Sequence, residues 1–222
     1  EWHKIIECIL FYFIKIRLNY NKNDRMKKYT DYYLSSKDQI INDEFVKSSI
    51  IYKSTSSVEM IYNIEKNLIM AIKSFDAKDI DCNLLFEREH NFYSIINHAL
   101  IPKYYGIVKD KNYIVIEYIN GQTLLDIKKM QLTFDERLVI IFELMMIIKY
   151  FHDKKMIYRD LKPNNVLIDA NKTVVLIDFD RLIDNTNRND KTMDLGTNFT
   201  DPDALKTGNY TFESDIYSLG KI

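Results

Sequence analysis

Four side chains suited to phosphoryl transfer lie in or after one short segment, residues 158–165. Asp160 and Asn165 are five residues apart with Lys162 between them, and Asp178 follows thirteen residues after Asn165. Asp160 could orient a hydroxyl nucleophile and accept its proton, while Lys162 could lie against the phosphate in transfer. Asn165 and Asp178 offer the hard oxygen ligands that Mg²⁺ prefers. The spacing therefore predicts transfer of a phosphoryl group from ATP, assisted by Mg²⁺.

The chain between these residues predicts the element that would bring them together. Two apolar runs, residues 166–168 and 173–177, flank a polar turn at residues 169–172. This pattern is typical of a β-hairpin. Such a hairpin would carry Asp178 back beside Asn165.

The preceding part of the chain predicts a small β-rich lobe with one helix. Three β-branched and aromatic runs indicate an antiparallel meander, a charged stretch with spaced apolar residues indicates an amphipathic helix, and two further runs indicate a hairpin. In chain order these segments are residues 45–52, 58–64, 68–75, 79–97, 104–109 and 113–118.

After Gly121 the sequence predicts a mainly helical lobe. Thr133 and Glu136 form the pattern of a capping box, and a long apolar helix follows to about His152. Its apolar residues fall on nearly all faces, which predicts a buried core helix. The fold class is thus expected to be α+β and bilobal, divided into residues 1–44 (N-terminal helix and polar linker), 45–120 (first lobe) and 121–222 (part of the second lobe).

The composition favours a globular protein without a strong electrostatic preference. The 222 residues are 46% hydrophobic and 28% charged, and a net charge of −1 gives no reason to expect nucleic acid. Cys8 and Cys82 lack a partner motif, which favours a reducing compartment, the cytoplasm. Residues 5–18 are apolar but contain charged residues and are shorter than the about 20 residues of a membrane span, so a packed or interfacial helix is expected. The sequence leaves the oligomeric state open.

Together with Lys73 and Glu89, these motifs resemble the eukaryotic-type protein kinase domain over roughly residues 45 to 222. The order of lysine, glutamate, hinge, catalytic loop, metal-binding aspartate and activation segment is present. Lys73, on the third predicted strand, would hold the α- and β-phosphates of ATP, and Glu89 on the following helix would pair with it. Glu87 is a rival for that second role.

The resemblance also implies the rest of the nucleotide site and the substrate class. The motif Asp-Leu-Lys-Pro, which contains Lys162, is similar to that of the serine/threonine kinases. The expected partner is therefore a protein with a Ser or Thr hydroxyl. Asp215 would hydrogen-bond the backbone of the catalytic loop, and Ile116 would be the gatekeeper. The remaining positions assigned to the nucleotide are Ile61, Ala71, Glu117, Tyr118 and Leu167.

Residues 195–203 resemble the end of the activation segment. Thr197 is expected to contact Asp160 and Lys162, whereas Thr192 is the better candidate for phosphorylation, with Arg159 reading the phosphate. The chain stops within an apolar, helix-like stretch, so we expect a C-lobe that is truncated.

The sequence departs from the kinase pattern at three places, of which the third is Asp203, where the segment that clamps the activation loop has glutamate in the family. No glycine precedes Gly106, so the glycine-rich loop that lets a backbone approach phosphate is missing. Aligning Ile61 with the last residue of that loop motif puts Ser54, Ser56 and Glu59 at the glycine positions, and Glu59 would repel the nucleotide. Asp180 stands where the family has glycine, and aspartate adopts positive φ less freely than glycine.

Three functions are consistent with the residues that the sequence retains and those that it lacks. A serine/threonine protein kinase, active or weakly active, accounts for the retained Lys73, Asp160, Lys162, Asn165 and Asp178. A pseudokinase that acts as a binding or scaffold module accounts for the lost glycines. A small-molecule phosphotransferase of kinase-like fold is the third alternative, against which the peptide-binding platform of Lys162-Pro163 and residues 196–202 argues.

Overall fold

A computed structural model describes most of the chain from residue 39 onward. The described residues are 39–40, 45–53, 56–63, 68–76, 78–108, 111–186 and 196–222. The predicted N-terminal helix, Ser54 and Thr192 lie outside these ranges.

A six-stranded antiparallel sheet and one helix form the first part of the fold. The elements are β1 (Gln39–Ile40), β2 (Phe45–Lys53), β3 (Ser56–Asn63), β4 (Leu68–Phe75), α1 (Ile80–Ile95), β5 (Tyr104–Val108) and β6 (Tyr113–Glu117). The strand order is β1-β2-β3-β4-β6-β5. The predicted meander, helix and hairpin are therefore confirmed, with boundaries that agree within about two residues.

The two faces of this sheet carry different residues because side chains alternate along a strand. Lys73 lies directly opposite Val58, so both share a face with Ala71, and Val58 packs against the core cluster that contains Ala71. Ile61 lies opposite Met70 and packs with it in a separate cluster on the other face. The prediction that Ile61 lines the nucleotide site together with Ala71 is therefore wrong, and Val58 occupies that face instead.

Helix α1 begins at a capped N-terminus and carries Glu89 towards the sheet. The Asp79 side chain accepts hydrogen bonds from the backbone N–H groups of Asp81 and Cys82. This cap satisfies donors that the first helical turn leaves open. Glu89 lies on the buried side of the helix, in the same row as Phe92.

The second part of the fold is built from short strands and helices. Its elements are β7 (Gly121–Thr123), a 3₁₀ helix (Leu124–Lys129), α2 (Phe134–Asp153), β8 (Met156–Ile157), a 3₁₀ turn (Pro163–Asn165), β9 (Val166–Asp169), β10 (Val174–Leu176), β11 (Ile183–Asp184), α3 (Pro202–Thr207) and α4 (Phe212–Lys221). Strands β9 and β10 form the predicted hairpin, and β7 pairs with β9. At Gly121 a Cβ atom would lie 2.7 Å from the carbonyl oxygen of Ile168, so this close approach requires glycine.

Helix α2 has the predicted capping box but not the predicted burial. The Thr133 hydroxyl accepts a hydrogen bond from the Glu136 N–H, and the Glu136 carboxylate accepts one from the Thr133 N–H. One side of the helix is buried, yet an apolar row on another side is 40% to 74% exposed. The prediction of a helix buried on nearly all faces is therefore wrong for this row, which consists of Phe134, Leu138, Ile141 and Met145.

An aromatic cluster around Phe179 joins the two parts of the fold. The Phe179 ring stacks on Phe92 of α1 with centroids 4.2 Å apart, and its edge meets Tyr93 at 5.4 Å. The centroid of the Phe179 ring also lies 5.8 Å from that of Tyr158 and 6.1 Å from that of Phe151. Since Phe179 directly follows Asp178, this packing fixes the position of the predicted metal-binding residue.

None of the helices in the described part of the chain is long and apolar enough to cross a membrane.

Candidate active site

Lys73 is the centre of a buried ion cluster where β4, α1 and the loop after β10 meet. Its Nζ lies 2.6 Å from Glu89 Oε2, 2.7 Å from Asp178 Oδ1 and 3.3 Å from Asp180 Oδ2. Glu89 is 1% exposed, whereas Glu87 on the same helix is exposed. The structure therefore pairs Lys73 with Glu89 and not with its rival.

The ionisation of this cluster reflects burial and the one shared cation. Burial lowers the pKa of Lys73, but Asp178, Glu89 and Asp180 outweigh it and hold the pKa well above its usual value. Burial raises the pKa of Asp178, an effect that the Lys73 ammonium more than offsets, so that pKa is lowered. Burial raises the pKa of Glu89. Burial and the neighbouring Asp178 raise the pKa of Asp180 to about 8.

Asp160 lies in the loop between β8 and β9 with one carboxylate oxygen engaged. Oδ2 is 2.7 Å from Lys162 Nζ, accepts a hydrogen bond from Asn165 Nδ2 at 2.9 Å, and is 4.0 Å from Arg181 Nε. Among the residues that the structure describes, the hydrogen bonds and ion pairs of this carboxylate are made by Oδ2. Oδ1 is therefore the oxygen that could accept a proton from a hydroxyl group.

A buried aspartate of α4 fixes the backbone that carries Asp160. Asp215 Oδ2 accepts a hydrogen bond from the Tyr158 N–H and Oδ1 accepts one from the Arg159 N–H, both at 2.9 Å. His152 Nε2 lies 2.9 Å from the same Oδ2. The expected contact between Asp215 and the catalytic loop is confirmed.

The predicted metal ligands are brought together by the hairpin. The Ile177 N–H donates to the Asn165 carbonyl at 3.0 Å, and the Tyr158 hydroxyl donates to the Ile177 carbonyl at 2.5 Å. Asn165 Nδ2 donates to Asp160, so the amide oxygen of Asn165 is the atom that could bind a metal. One amide oxygen and the carboxylate of Asp178 form a donor set that fits Mg²⁺.

Asp180 is the functional residue whose position the sequence did not reveal. The sequence predicts that it acts through its backbone, at a position where the family has glycine, but the positive φ of this motif, 68°, belongs to Asp178. The side chain of Asp180 instead contacts Lys73. The sequence signal for this contact is the charged pair Asp180-Arg181 directly after Phe179, because residues next to the buried Phe179 ring lie close to the site.

The other residues assigned to the nucleotide lie around the junction of the two parts. Ala71 pairs with Ile116 across β4 and β6, and both are buried. Glu117 is held at the end of β6, where its carboxylate accepts a hydrogen bond from the Lys103 N–H at 3.1 Å. Tyr118 and Leu167 are half-buried. Their roles towards a nucleotide stay predictions.

Glu59 does not point towards the phosphates as expected. It lies opposite Ile72, on the face of the sheet away from Lys73, and its Oε1 accepts a hydrogen bond from the Ser57 hydroxyl at 3.3 Å. The expected repulsion rested on an alignment that is shifted along β3 by an odd number of residues, the three from Val58 to Ile61, which turns each side chain to the opposite face. The absence of glycine before Gly106 does not depend on this alignment.

The activation segment differs from the expectation at Thr197. Its hydroxyl lies 3.1 Å from the Thr200 hydroxyl and accepts a hydrogen bond from the Phe199 N–H, so the expected contact to Asp160 and Lys162 is not formed. The Arg159 side chain donates from Nε to the Arg181 carbonyl at 2.5 Å and lies over the Tyr210 ring. Whether Arg159 reads a phosphate on Thr192 stays a prediction.

Comparisons with known proteins agree with this geometry. The family profile of the protein kinase domain matches residues 53–222. The chain is 30% identical to serine/threonine-protein kinase ppk11 of Schizosaccharomyces pombe over 75% of its own length, and 25% identical to an Aurora kinase of Eremothecium gossypii over 73%. It is 28% identical to spermatocyte protein spe-8 of Caenorhabditis briggsae over 70%.

The chain spans only part of these relatives, since the alignments cover 56%, 47% and 31% of their respective lengths. The profile nevertheless covers well over half of this chain, including the ion cluster and the catalytic loop. The chain belongs to the protein kinase family.

Proposed function

We propose that this chain is a serine/threonine protein kinase domain, active or weakly active, that transfers the γ-phosphate of ATP to a protein hydroxyl with the help of Mg²⁺. The observation that carries the proposal is the contact set of Asp160, whose Oδ2 is held by Lys162 and Asn165. This arrangement supports a carboxylate with one oxygen directed to the substrate.

In the proposed reaction the substrate hydroxyl oxygen forms a bond to the γ-phosphorus while the bond from phosphorus to the bridging oxygen of ADP breaks. Asp160 orients the hydroxyl and accepts its proton. Lys162 neutralises charge on the phosphate in transfer. Lys73, held by Glu89 at 2.6 Å, directs a donor to the α- and β-phosphates. A Mg²⁺ ion held by Asn165 and Asp178 would supply charge neutralisation.

The specificity for Ser or Thr rests on Lys162 and on one relative. Lys162, the residue that carries the serine/threonine resemblance, contacts Asp160 through its Nζ at 2.7 Å. The relative ppk11 is named a serine/threonine-protein kinase. We further propose an N-lobe at residues 45–120, a C-lobe segment at 121–222, and an N-terminal helix and polar linker at 1–44, of which Gln39–Ile40 pairs with the sheet as β1. The proposed location is the cytoplasm, because the sequence has two cysteines, Cys8 and Cys82, far apart and without a partner motif.

The test is transfer of labelled phosphate from ATP and Mg²⁺ to a generic protein substrate, with Asp160→Asn as the matched inactive variant. Label on serine or threonine that disappears in Asp160→Asn supports the proposal. Label on tyrosine would overturn the specificity, and label on a small molecule in place of the protein would favour the small-molecule phosphotransferase.

A pseudokinase is the second candidate, and one specific observation favours it. Lys73 is surrounded by three carboxylates in a chain without a glycine-rich loop, so a nucleotide must compete with the protein itself. A folded protein that transfers no more label than Asp160→Asn would establish this alternative, and its function would then lie in its binding surfaces.

A further inference from the structure

Three carboxylates use the full donor capacity of one ammonium group. Lys73 has three N–H donors and no acceptor. Glu89, Asp178 and Asp180 lie 2.6, 2.7 and 3.3 Å from its Nζ. A nucleotide phosphate can therefore contact Lys73 only if one of these carboxylates gives up its place.

Asp180 is the carboxylate that the geometry selects. Glu89 is almost fully buried, and its second oxygen accepts a hydrogen bond from the Phe179 N–H at 3.4 Å, so it is anchored twice. Asp178 faces the proposed metal site and makes the shorter contact to Lys73. Asp180 makes the longest of the three contacts, and it occupies the position where the family has no side chain.

We propose that Asp180 is a tethered competitor of nucleotide phosphates for Lys73, so that ATP binds only after the Lys73–Asp180 ion pair opens. The inference rests on the proposed function, in which this site binds ATP. It assigns to one residue a specific loss of affinity, because the Asp180 side chain occupies a donor of Lys73 that a phosphate needs. A ligand without phosphates does not experience this effect.

This difference separates competition from a general structural role. If Asp180 opposes phosphates, its replacement must tighten ATP and ADP and leave adenosine unchanged. If Asp180 instead holds Lys73 in the orientation that phosphates need, its replacement must weaken ATP. If it only shapes the pocket, all three ligands must change together.

The experiment is titration calorimetry of ATP, ADP and adenosine, with Mg²⁺ present throughout, against the unmodified chain and four variants. Asp180→Asn replaces the carboxyl group by an amide, Asp180→Gly removes the side chain, and Asp180→Glu keeps a carboxyl group. Asp184→Asn makes the same replacement as Asp180→Asn at an exposed position four residues away. Circular dichroism and thermal unfolding establish that each variant is folded.

We expect ATP to bind Asp180→Asn and Asp180→Gly about tenfold more tightly, because Lys73 can then donate a charge-assisted hydrogen bond to a phosphate without first losing its contact to the Asp180 carboxyl group. Adenosine should bind all variants equally. Asp180→Glu and Asp184→Asn should bind ATP as the unmodified chain does. Binding of ATP by Asp180→Asn where the unmodified chain shows none would also support the inference.

Three results would overturn it: ATP affinity that stays equal or falls in Asp180→Asn, an equal gain for adenosine, or failure of both Asp180→Asn and Asp180→Gly to fold. The third result would make Asp180 a requirement of the fold. ATP binding by the unmodified chain without a gain in the variants removes the inference and leaves the proposed function standing. Absence of ATP binding in every variant removes both.

Discussion

The buried carboxylate of Asp215 accepts a hydrogen bond from the backbone N–H of Arg159, with 2.9 Å between Oδ1 and the nitrogen. Arg159 has a φ of 68°, a conformation that costs a residue other than glycine on the order of 1 kcal/mol. The carboxylate thus holds a strained backbone immediately before Asp160. A residue of α4 therefore determines where the proposed catalytic carboxylate points.

Replacing Asp215 by asparagine should destabilise the protein and reduce phosphate transfer. The amide can accept one of the two backbone N–H groups, but its own N–H₂ group then faces the other donor. We expect the free energy of unfolding to fall by about 2–4 kcal/mol, because hydrogen bonds to a buried charged group are lost. Urea unfolding measures this change. Asp203→Asn, at an exposed position of α3, is the control, and equal stability of the two variants would contradict the assigned role.

Replacing Lys73 by methionine should destabilise the fold as well as abolish nucleotide binding. The change leaves the carboxylates of Glu89, Asp178 and Asp180 without their shared cation. Removing one partner of a buried ion pair typically costs about 3–5 kcal/mol. Chemical unfolding at neutral pH measures this cost, with the exposed Lys103→Met as the matched control. An unfolding free energy unchanged from the unmodified chain would show that the cluster is not formed in solution.

Two glutamates two residues apart on α1 offer a matched comparison. Glu89→Gln removes the charge that positions Lys73, so we expect ATP affinity and phosphate transfer to fall by about tenfold or more. Glu87→Gln removes the same charge from the exposed side of the helix and should leave both within about twofold. Transfer assays on the two variants at equal protein concentration provide the measurement. Similar losses in both would contradict the pairing of Lys73 with Glu89.

Much of the fold could be predicted because local patterns determine it. The capping box of Thr133 and Glu136 and the hairpin before Asp178 depend on residues close in sequence. The exposure of Phe134 could not be predicted, because an apolar residue on a helix does not reveal whether another element covers it. The misplacement of Ile61 has a different origin: on a strand, an alignment error of an odd number of residues exchanges the two faces.

The contacts of the candidate site also fall into those that the sequence predicts and those that only the fold creates. Asp160 and Asn165 share one loop, so their spacing alone indicated that they converge. The contact between Asp180 and Lys73 joins residues 107 positions apart, and it depends on how β4 and the loop after β10 meet. Only the assembled fold supplies that information.

Replacing the buried Phe179 by alanine should destabilise the protein more than the same truncation of the exposed Phe134 on α2. Phe179 is fully buried and stacks on Phe92 at 4.2 Å, so its loss leaves a cavity between α1 and the catalytic loop. Truncation of a buried phenylalanine costs about 3–5 kcal/mol. Phe134→Ala is the control, because that ring is 74% exposed and its loss should cost about 0.5 kcal/mol or less. Guanidinium unfolding of both variants tests the difference. A stability loss for Phe179→Ala no larger than that of Phe134→Ala would show that the aromatic cluster does not join the two parts of the fold. Because Phe179 lies between Asp178 and Asp180, the same variant should also lose ATP affinity while it remains folded.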